Sequence, residues 1–320
     1  MGQVVTIVNQ KGGVGKTSVT LGLASAAMAK GHKVLVVDLD PQGASSWVLG
    51  IDSDRVTKSV ADVLSSNRSG SAKQAIVPSR WGHLVDVLPS LPELQSLEVL
   101  RGGLESMLLG AKTETRLRKG LQGVTEGYGV ILVDCPPSLG ALTSNGLAAA
   151  SHALLVVEPT ALSLRGIDPV ADLIENVWEH HNQWLDLAGV IVNRAPARSH
   201  DAEVHLQELH AIVGRKAVWE PFIPPRVSVA EAAASRRPIH ELGARGADAA
   251  AKSGWSTTLR LPWSETITAS MTLSTKGSDV SAASALTQSS GRLKVGMPTA
   301  MLARPGASTA EYHAASWTVT

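Results

Sequence analysis

Two lysines lie five positions apart in a glycine-rich stretch, NQKGGVGKTS, which contains Lys11 and Lys16. Glycines let backbone N–H groups converge on phosphate oxygens, and a helix that begins there directs its positive end toward the bound charge. The usual phosphate-loop pattern is G-x-x-x-x-G-K-[ST]. Gly15, Lys16 and Thr17 complete that pattern, but Gln10 replaces its leading glycine. The stretch therefore predicts a phosphate site and leaves the role of Lys11 open.

Aspartates at the ends of two other apolar runs could hold a metal ion. Asp38 and Asp40 belong to VVDLDPQG, and Asp134 belongs to ILVDCPPSLG. An ATP site needs carboxylates that hold Mg²⁺ and orient a water molecule for in-line attack. In an open parallel sheet, ligands bind beyond the carboxyl ends of the strands. We therefore expect these aspartates to lie beside the glycine loop, at one edge of a sheet.

Apolar runs of strand length alternate with helical stretches from residue 3 to about residue 240. This alternation predicts a parallel sheet with helices on both faces, and runs that are apolar throughout predict strands buried on both faces. The predicted fold is α/β, with a doubly wound, mostly parallel sheet. The predicted strands are 4–9, 33–40, 84–90, 130–136, 153–159, 187–194 and 218–224, and the predicted helices are 17–31, 165–181 and 201–214.

The composition changes after residue 252. From 253 to 320, roughly a third of the residues are serine or threonine, charged residues become rare and no periodicity is evident. Such a composition favours a tail of low order. We therefore predict a domain at 1–252 and a disordered or weakly ordered tail at 253–320.

The charge and cysteine content exclude several classes of protein. The net charge of the 320 residues is +1, so any contact with nucleic acid requires a local basic patch. Cys135 is the single cysteine, which rules out an intramolecular disulfide and a multi-cysteine metal site. The first apolar run is too short for a signal peptide or a membrane span. We expect a cytoplasmic protein.

Taken together, these motifs resemble those of the ParA/Soj partition ATPases, within the deviant Walker-A group that also includes MinD. The resemblance rests on NQKGGVGKT, VDLDPQG and LVDCPPSLG, and on IPPRVSVAEA followed by RPI. It covers roughly residues 3 to 250. MinD-like proteins lack the DPQG run and carry a C-terminal amphipathic membrane helix. The resemblance implies the P-loop NTPase fold, with ATP and Mg²⁺ as ligands.

The resemblance also implies a role for each charged residue of the site. Lys16 would hold the β- and γ-phosphates, and Thr17 would coordinate Mg²⁺ through its hydroxyl. Asp134 would anchor Mg²⁺ through a bound water, and Asp40 would orient or activate the attacking water. Lys11 would cross a dimer interface to the phosphates bound by the other subunit, where it would neutralise charge on the transferring phosphoryl group.

The expected nucleotide site extends beyond the loop. Asn193 matches a position that reads the adenine base in related proteins, but an asparagine that caps a turn at a strand end is an equal alternative. The expected catalytic residues are Lys11, Lys16 and Asp40, and the expected Mg²⁺ residues are Thr17, Asp40 and Asp134. The expected nucleotide-binding residues are Lys11, Gly12, Gly13, Val14, Gly15, Lys16, Thr17, Ser18, Asn193 and Pro224.

The function implied by the resemblance is ATP-dependent DNA partition. An ATP-bound homodimer would bind nonspecific double-stranded DNA, without a membrane, and a ParB-type partner would stimulate hydrolysis and release. The protein would then be associated with the nucleoid. Arg198 matches a DNA-contacting arginine of the family, whereas the second such position holds Ser228. Arg226, Arg236 and Arg237 are the expected substitutes for contacts to phosphates.

Two other classes of function remain open. One is a MinD-like ATPase that positions a cellular machine at a membrane, although the DPQG run argues against it. The other is a hydrolysis-defective scaffold, because the chain after 241–252 does not continue with the short helix of alternating apolar and charged residues that ends its relatives. A frameshift or fusion that replaced the native end is one hypothesis for this difference.

Overall fold

A computed structural model describes residues 2–99, 113–196 and 199–242 of the chain. Within them lies one eight-stranded sheet with strand order β3-β4-β2-β5-β1-β6-β7-β8. Its strands are β1 (Gln3–Val8), β2 (Val34–Asp38), β3 (Val77–Pro78), β4 (Val85–Leu88), β5 (Val130–Asp134), β6 (His152–Val157), β7 (Asp186–Val192) and β8 (Val218–Trp219). The predicted tail at 253–320, the boundary at residue 252 and Arg198 fall outside the described residues.

Strand pairing aligns the carboxyl ends of the central strands. All neighbouring strands are parallel except β3, which pairs antiparallel with β4 at one edge. Asp38 of β2 is in register with Asp134 of β5, and Ile7 of β1 is also in register with Asp134. The segments that follow β1, β2 and β5 therefore leave the sheet side by side.

Helices and short turns connect the strands. They are α1 (Lys16–Ala29), α2 (Ala44–Val48), α3 (Val60–Ser66), α4 (Leu94–Val99), α5 (Arg116–Gly120), α6 (Ala141–Ala149), α7 (Ala161–Leu164), α8 (Ile167–His180), α9 (His200–Val213) and α10 (Val227–Ala234). None of the helices in the described part of the chain has both the length and the apolar content needed to cross a bilayer.

Alternate residues of the central strands enter two separate hydrophobic clusters, one on each face of the sheet. Val37 and Val133 belong to the cluster that also contains residues of α3, α6 and α8. Val36 and Leu132 belong to the cluster that contains the buried residues of α1. Because successive side chains of a strand point to opposite faces, burial on both faces requires uninterrupted apolar sequence. This confirms the predicted doubly wound α/β fold.

The predicted elements are present, with one substantial difference in length. The strand expected at 218–224 ends at Trp219, and Pro221, Pro224 and Pro225 follow it. Proline cannot donate to a strand ladder, so this sequence does not extend the pairing. The strand β3 was not predicted, because it has only two residues. The helix α6 was not predicted either, because it is buried along nearly its whole length and has no amphipathic spacing.

Candidate phosphate and metal site

The glycine loop connects β1 to α1, and the Asn9 side chain links it to the neighbouring strand β6. The buried Asn9 side chain donates through Nδ2 to the Val156 carbonyl at 2.6 Å and accepts through Oδ1 from the Lys11 amide at 2.8 Å. Gly13 and Gly15 have φ values of 83° and 91°, which side chains with a Cβ rarely adopt. The loop conformation therefore depends on glycine at these two positions.

Lys16 begins α1 and points into the loop of its own chain. Its Nζ lies 3.3 Å from the Lys11 carbonyl, and the residue is 7% exposed. Burial lowers the pKa of Lys16, and the nearby carboxylates of Asp134 and Asp40 oppose that shift. Among the described residues, no side chain caps the first turn of α1. A buried ammonium and a helix N-terminus thus face the same small space, which suits a phosphate.

Asp134 links the loop to the end of β5. Its Oδ2 accepts from Thr17 Oγ1 at 2.8 Å and from Ser45 Oγ at 2.6 Å, and its Oδ1 lies 3.4 Å from Thr20 Oγ1. Asp134 is fully buried, and burial raises its pKa although these hydroxyl donors favour the carboxylate. The structure thus brings together Thr17 and Asp134, two of the three residues predicted to act on Mg²⁺, and the third, Asp40, is close enough to interact electrostatically with Asp134. Ser45 was not predicted, because a serine that follows an alanine in a short helix carries no distinguishing signal.

Asp38 supports the segment that carries Asp40. Its Oδ2 accepts from the amide and the hydroxyl of Ser46, each at 2.8 Å, and its Oδ1 accepts from the Asp40 amide at 3.1 Å. Burial and the neighbouring Asp134 raise the pKa of Asp38 to about 7. With its oxygens occupied by backbone and Ser46 donors, Asp38 fixes the start of α2.

Asp40 lies in the turn between β2 and α2 and is partly exposed. Its Oδ1 accepts from the Gln42 amide at 2.9 Å, and its carbonyl accepts from the Gly43 amide at 2.9 Å. The carboxylate is close enough to act electrostatically on both Lys16 and Asp134. It is therefore the more accessible carboxylate of the cluster, in keeping with its predicted role toward a water molecule.

Asn193 lies against the loop at the end of β7. Its Nδ2 donates to the Val14 carbonyl at 2.7 Å, and a Cβ on Gly15 would collide with the same nitrogen. Ile223, which precedes Pro224, is paired with Val192 and Ala195 on either side of Asn193. The amide of Asn193 thus holds the phosphate loop, a contact with a distant segment that neither the adenine nor the turn-cap interpretation anticipated.

Lys11 points away from the interior of the loop. Its Nζ lies 3.8 Å from Glu158 Oε2, and its side chain is 32% exposed. Arg194 Nη1 lies 2.9 Å from Glu158 Oε1 and donates to the Gly13 carbonyl at 2.7 Å. Arg194 has a φ of 53°, a left-handed conformation that costs a non-glycine residue roughly 1–2 kcal/mol. Glu158 and Arg194 were not identified as site residues from the sequence, since each simply follows an apolar strand.

The predicted DNA-contacting arginines occupy different environments. Arg236 stacks on the Trp47 ring at 4.3 Å from its centroid and lies 3.9 Å from Asp52. Arg237 pairs with Glu241 at 3.7 Å. Arg226 is exposed at the residue before α10. Arg226 and Arg237 are therefore the more accessible of the three.

The site residues fit a nucleotide with a bound cation better than a cation alone. The described residues contain no cluster of three or more His, Cys, Asp or Glu that could hold a metal ion. Mg²⁺ usually binds to one or two carboxylates together with phosphates of a substrate. Thr17 and Asp134 would supply the protein side of such a site, and the loop would supply the phosphates through Lys16.

The loop, the sheet order and the carboxylates at the strand ends define a P-loop nucleotide-binding protein. A family model described as an AAA domain matches residues 2–187. A protein of Mycobacterium smegmatis, solved as cobyrinic acid a,c-diamide synthase with bound ADP and magnesium, is 30% identical with a TM-score of 0.63, and the match covers 81% of this chain and 95% of that one.

Two curated relatives narrow the class. The chromosome partitioning protein ParA of Myxococcus xanthus is 31% identical over 239 residues, which are 75% of this chain and 81% of that protein. The sporulation initiation inhibitor protein Soj of Bacillus subtilis is 31% identical over 250 residues, which are 78% of this chain and 95% of that protein. The chain belongs to the ParA/Soj family of partitioning ATPases.

Proposed function

We propose that this chain binds ATP with Mg²⁺ and forms an ATP-dependent homodimer that binds double-stranded DNA without sequence preference. The observation that carries the proposal is the opposite orientation of the two loop lysines. Lys16 is buried and points into the loop, whereas Lys11 is partly exposed and points outward. One lysine thus serves the chain's own phosphates, and the other remains available to a second subunit.

Each loop residue has a distinct task in ATP hydrolysis. Gly13, Gly15 and the first turn of α1 bind phosphate oxygens through backbone N–H groups, and Lys16 neutralises the terminal phosphates. Thr17 and Asp134 would hold Mg²⁺, which would neutralise charge on the phosphates. Asp40 orients the attacking water from the turn after β2.

Lys11 of one subunit acts on the nucleotide of the other. Bound ATP retains negative charge after one Mg²⁺ is bound, so a second ammonium group stabilises both the dimer and the charge that develops during phosphoryl transfer. Dimerisation and hydrolysis are then coupled through a single side chain. The monomer binds ATP but hydrolyses it slowly.

DNA binding uses arginines that the dimer arranges on one surface. Arg226 and Arg237 contact phosphates, with Arg198 and Arg236 as the remaining candidates. A ParB-type partner stimulates hydrolysis, which dissolves the dimer and releases the DNA. The ATPase domain comprises residues 1–252, and the protein acts in the cytoplasm, on the nucleoid.

DNA co-sedimentation with ATP, with ADP and without nucleotide tests this function. The wild-type protein should sediment with DNA only when ATP is present. Lys11→Ala should abolish ATP-dependent dimerisation and DNA binding, while ATP binding by the monomer is retained. Lys58→Ala, which changes an exposed lysine outside the loop, is the matched control. Dimerisation of the Lys11→Ala protein with ATP, or DNA binding that is independent of nucleotide, would contradict the proposal.

The role of the partner needs a separate experiment. ATP hydrolysis should rise when DNA and a ParB-type protein are added together, and this stimulation should be absent in Lys11→Ala. Binding to liposomes with ATP, in the absence of binding to DNA, would instead favour the membrane-positioning function.

A further inference from the structure

Three charged side chains form a connected group beside the phosphate loop. Glu158 lies between Lys11 and Arg194: its Oε2 is 3.8 Å from Lys11 Nζ, and its Oε1 is 2.9 Å from Arg194 Nη1. The Glu158 side chain is only 17% exposed. One oxygen of the Glu158 carboxylate thus contacts Lys11, and the other contacts Arg194, which follows β7.

The backbone around Glu158 fixes the position of this carboxylate. The Glu158 amide donates to Ser163 Oγ at 3.0 Å. Its carbonyl accepts from the Thr160 amide at 2.8 Å. Glu158 follows the last residue of β6, a central strand of the sheet. The backbone that carries this carboxylate is therefore held at the end of β6 and by Ser163 of α7.

Arg194 joins the carboxylate to the loop backbone. The same Nη1 that contacts Glu158 donates to the Gly13 carbonyl at 2.7 Å. Gly13 is one of the two loop glycines with positive φ. The position of Lys11 and the conformation of the loop therefore depend on one shared anchor.

We propose that Glu158 is a positioning residue that retains Lys11 on its own subunit before dimerisation, with Arg194 orienting the Glu158 carboxylate. This inference rests on the proposed function, in which Lys11 serves the nucleotide of a second subunit. Lys11 cannot bind a partner's phosphates and Glu158 at once. The contact with Glu158 therefore opposes dimerisation until a partner with bound ATP, which carries more negative charge than one carboxylate, competes for the ammonium.

Glu158→Gln tests the proposal, because glutamine keeps a carbonyl oxygen for Arg194 but removes the charge that attracts Lys11. The dimer dissociation constant is measured by sedimentation equilibrium with a non-hydrolysable ATP analogue and Mg²⁺. The variant should dimerise about threefold to tenfold more tightly. Each wild-type dimer must break two partly exposed ion pairs, one per subunit, and the variant lacks both. Glu203→Gln, which changes an exposed carboxylate on α9, should leave the constant unchanged. Unchanged or weaker dimerisation of Glu158→Gln would overturn the proposal.

Adding Glu158→Gln to Lys11→Ala shows whether the effect passes through Lys11. The double variant should remain monomeric with the ATP analogue, as Lys11→Ala does, because there is no ammonium left to release. Dimerisation of the double variant would mean that Glu158 acts by another route, and it would overturn the proposed retention of Lys11.

Acylation of lysines in the nucleotide-free protein separates this inference from the proposed function. Lys11 should be modified by an acetylating reagent several-fold faster in Glu158→Gln than in the wild type or in Glu203→Gln, as measured by peptide mass spectrometry. Equal rates would overturn the contact itself. A faster rate together with normal dimerisation of Lys11→Ala would instead contradict the proposed function, and with it the effect of Glu158 on dimerisation.

Discussion

The hydroxyl of Thr17 lies 2.8 Å from Oδ2 of Asp134, a contact that joins the first turn of α1 to the carboxyl end of β5. Ser45, which lies in α2, donates to the same oxygen at 2.6 Å. One buried carboxylate thus connects three segments that are far apart in the chain. In the proposed function, this carboxylate and the Thr17 hydroxyl would bind Mg²⁺ together.

Asp134→Asn should remove most of the effect of Mg²⁺ on ATP affinity. The amide nitrogen that replaces one oxygen cannot accept from Thr17 or Ser45, and groups that orient metal ligands typically contribute about 10-fold to 100-fold in affinity. The measurement is a titration with a fluorescent ATP analogue, in Mg²⁺ and in EDTA. Asp54→Asn, which changes an exposed carboxylate outside the site, should retain the Mg²⁺ effect. An undiminished Mg²⁺ effect in Asp134→Asn would show that Asp134 does not hold the metal.

Gly15→Ala should abolish nucleotide binding and lower the free energy of unfolding by roughly 1–2 kcal/mol. Its φ is 91°, and the new Cβ would collide with Asn193. Gly12→Ala is the control, because the nearest atom to its Cβ would be Pro137 Cβ at 3.7 Å, an ordinary contact. Nucleotide titration and urea unfolding of both variants check the prediction. Similar losses in both would mean that the loop tolerates neither residue for a reason other than backbone conformation.

Asp40→Ala should lower the rate of ATP hydrolysis by about 100-fold or more while ATP binding is retained, as expected when a group that orients or activates water is removed. The ATP-bound dimer should then accumulate. Phosphate release and sedimentation with ATP measure the two effects. Asp54→Ala, which removes an exposed carboxylate outside the site, serves as the control. Hydrolysis by Asp40→Ala at the wild-type rate would exclude this role for Asp40.

Arg236→Ala should affect stability more than DNA binding. Its guanidinium stacks on Trp47 and its side chain is 28% exposed, so its removal should cost about 1 kcal/mol of unfolding free energy. Arg226→Ala should instead leave stability unchanged and reduce both the affinity for DNA and its dependence on salt concentration. Thermal unfolding and DNA titrations at several salt concentrations separate the two. A larger loss of DNA affinity in Arg236→Ala than in Arg226→Ala would reverse the assignment.

Acid should destabilise the protein partly through His210. Burial, and then the charge of Arg215, lower the pKa of His210 below its ordinary value of 6.5. Its Nε2 is buried without a hydrogen-bond partner among the described residues. Because the unfolded state binds the proton more readily, the contribution of His210 is complete above about pH 6.5 and is lost as the pH falls through the lower pKa of the folded state.

His210→Gln should therefore show a smaller decrease in Tm between about pH 7.5 and about pH 5 than the wild type does. His200→Gln, at an exposed position on the same helix, is the control and should follow the wild type. An unchanged pH dependence in His210→Gln would show that other groups cause the acid destabilisation.

The sequence alone was sufficient to predict the sheet, the phosphate loop and the convergence of Asp38 and Asp134. Apolar runs without alternation predict strands that are buried on both faces, and parallel strands bring their carboxyl ends to one edge. The spacing around Lys16 and Thr17 indicated the loop because a glycine cluster between a strand and a helix has few other uses. These inferences depend on local patterns, which a single sequence displays directly.

Contacts between distant segments were decided by the tertiary structure. The sequence around Glu158 and Arg194 does not indicate that Glu158 contacts Lys11 or that Arg194 contacts Gly13, because each residue follows a different strand of the sheet. Ser45 on Asp134, Asn193 on Val14 and Arg236 on Trp47 are likewise set by strand order and by the packing of helices on the sheet. The sequence identified the candidate groups for the chemistry. Only the tertiary structure decided which neighbours contact them, since hydrogen bonds and ion pairs depend on distances that no local spacing encodes.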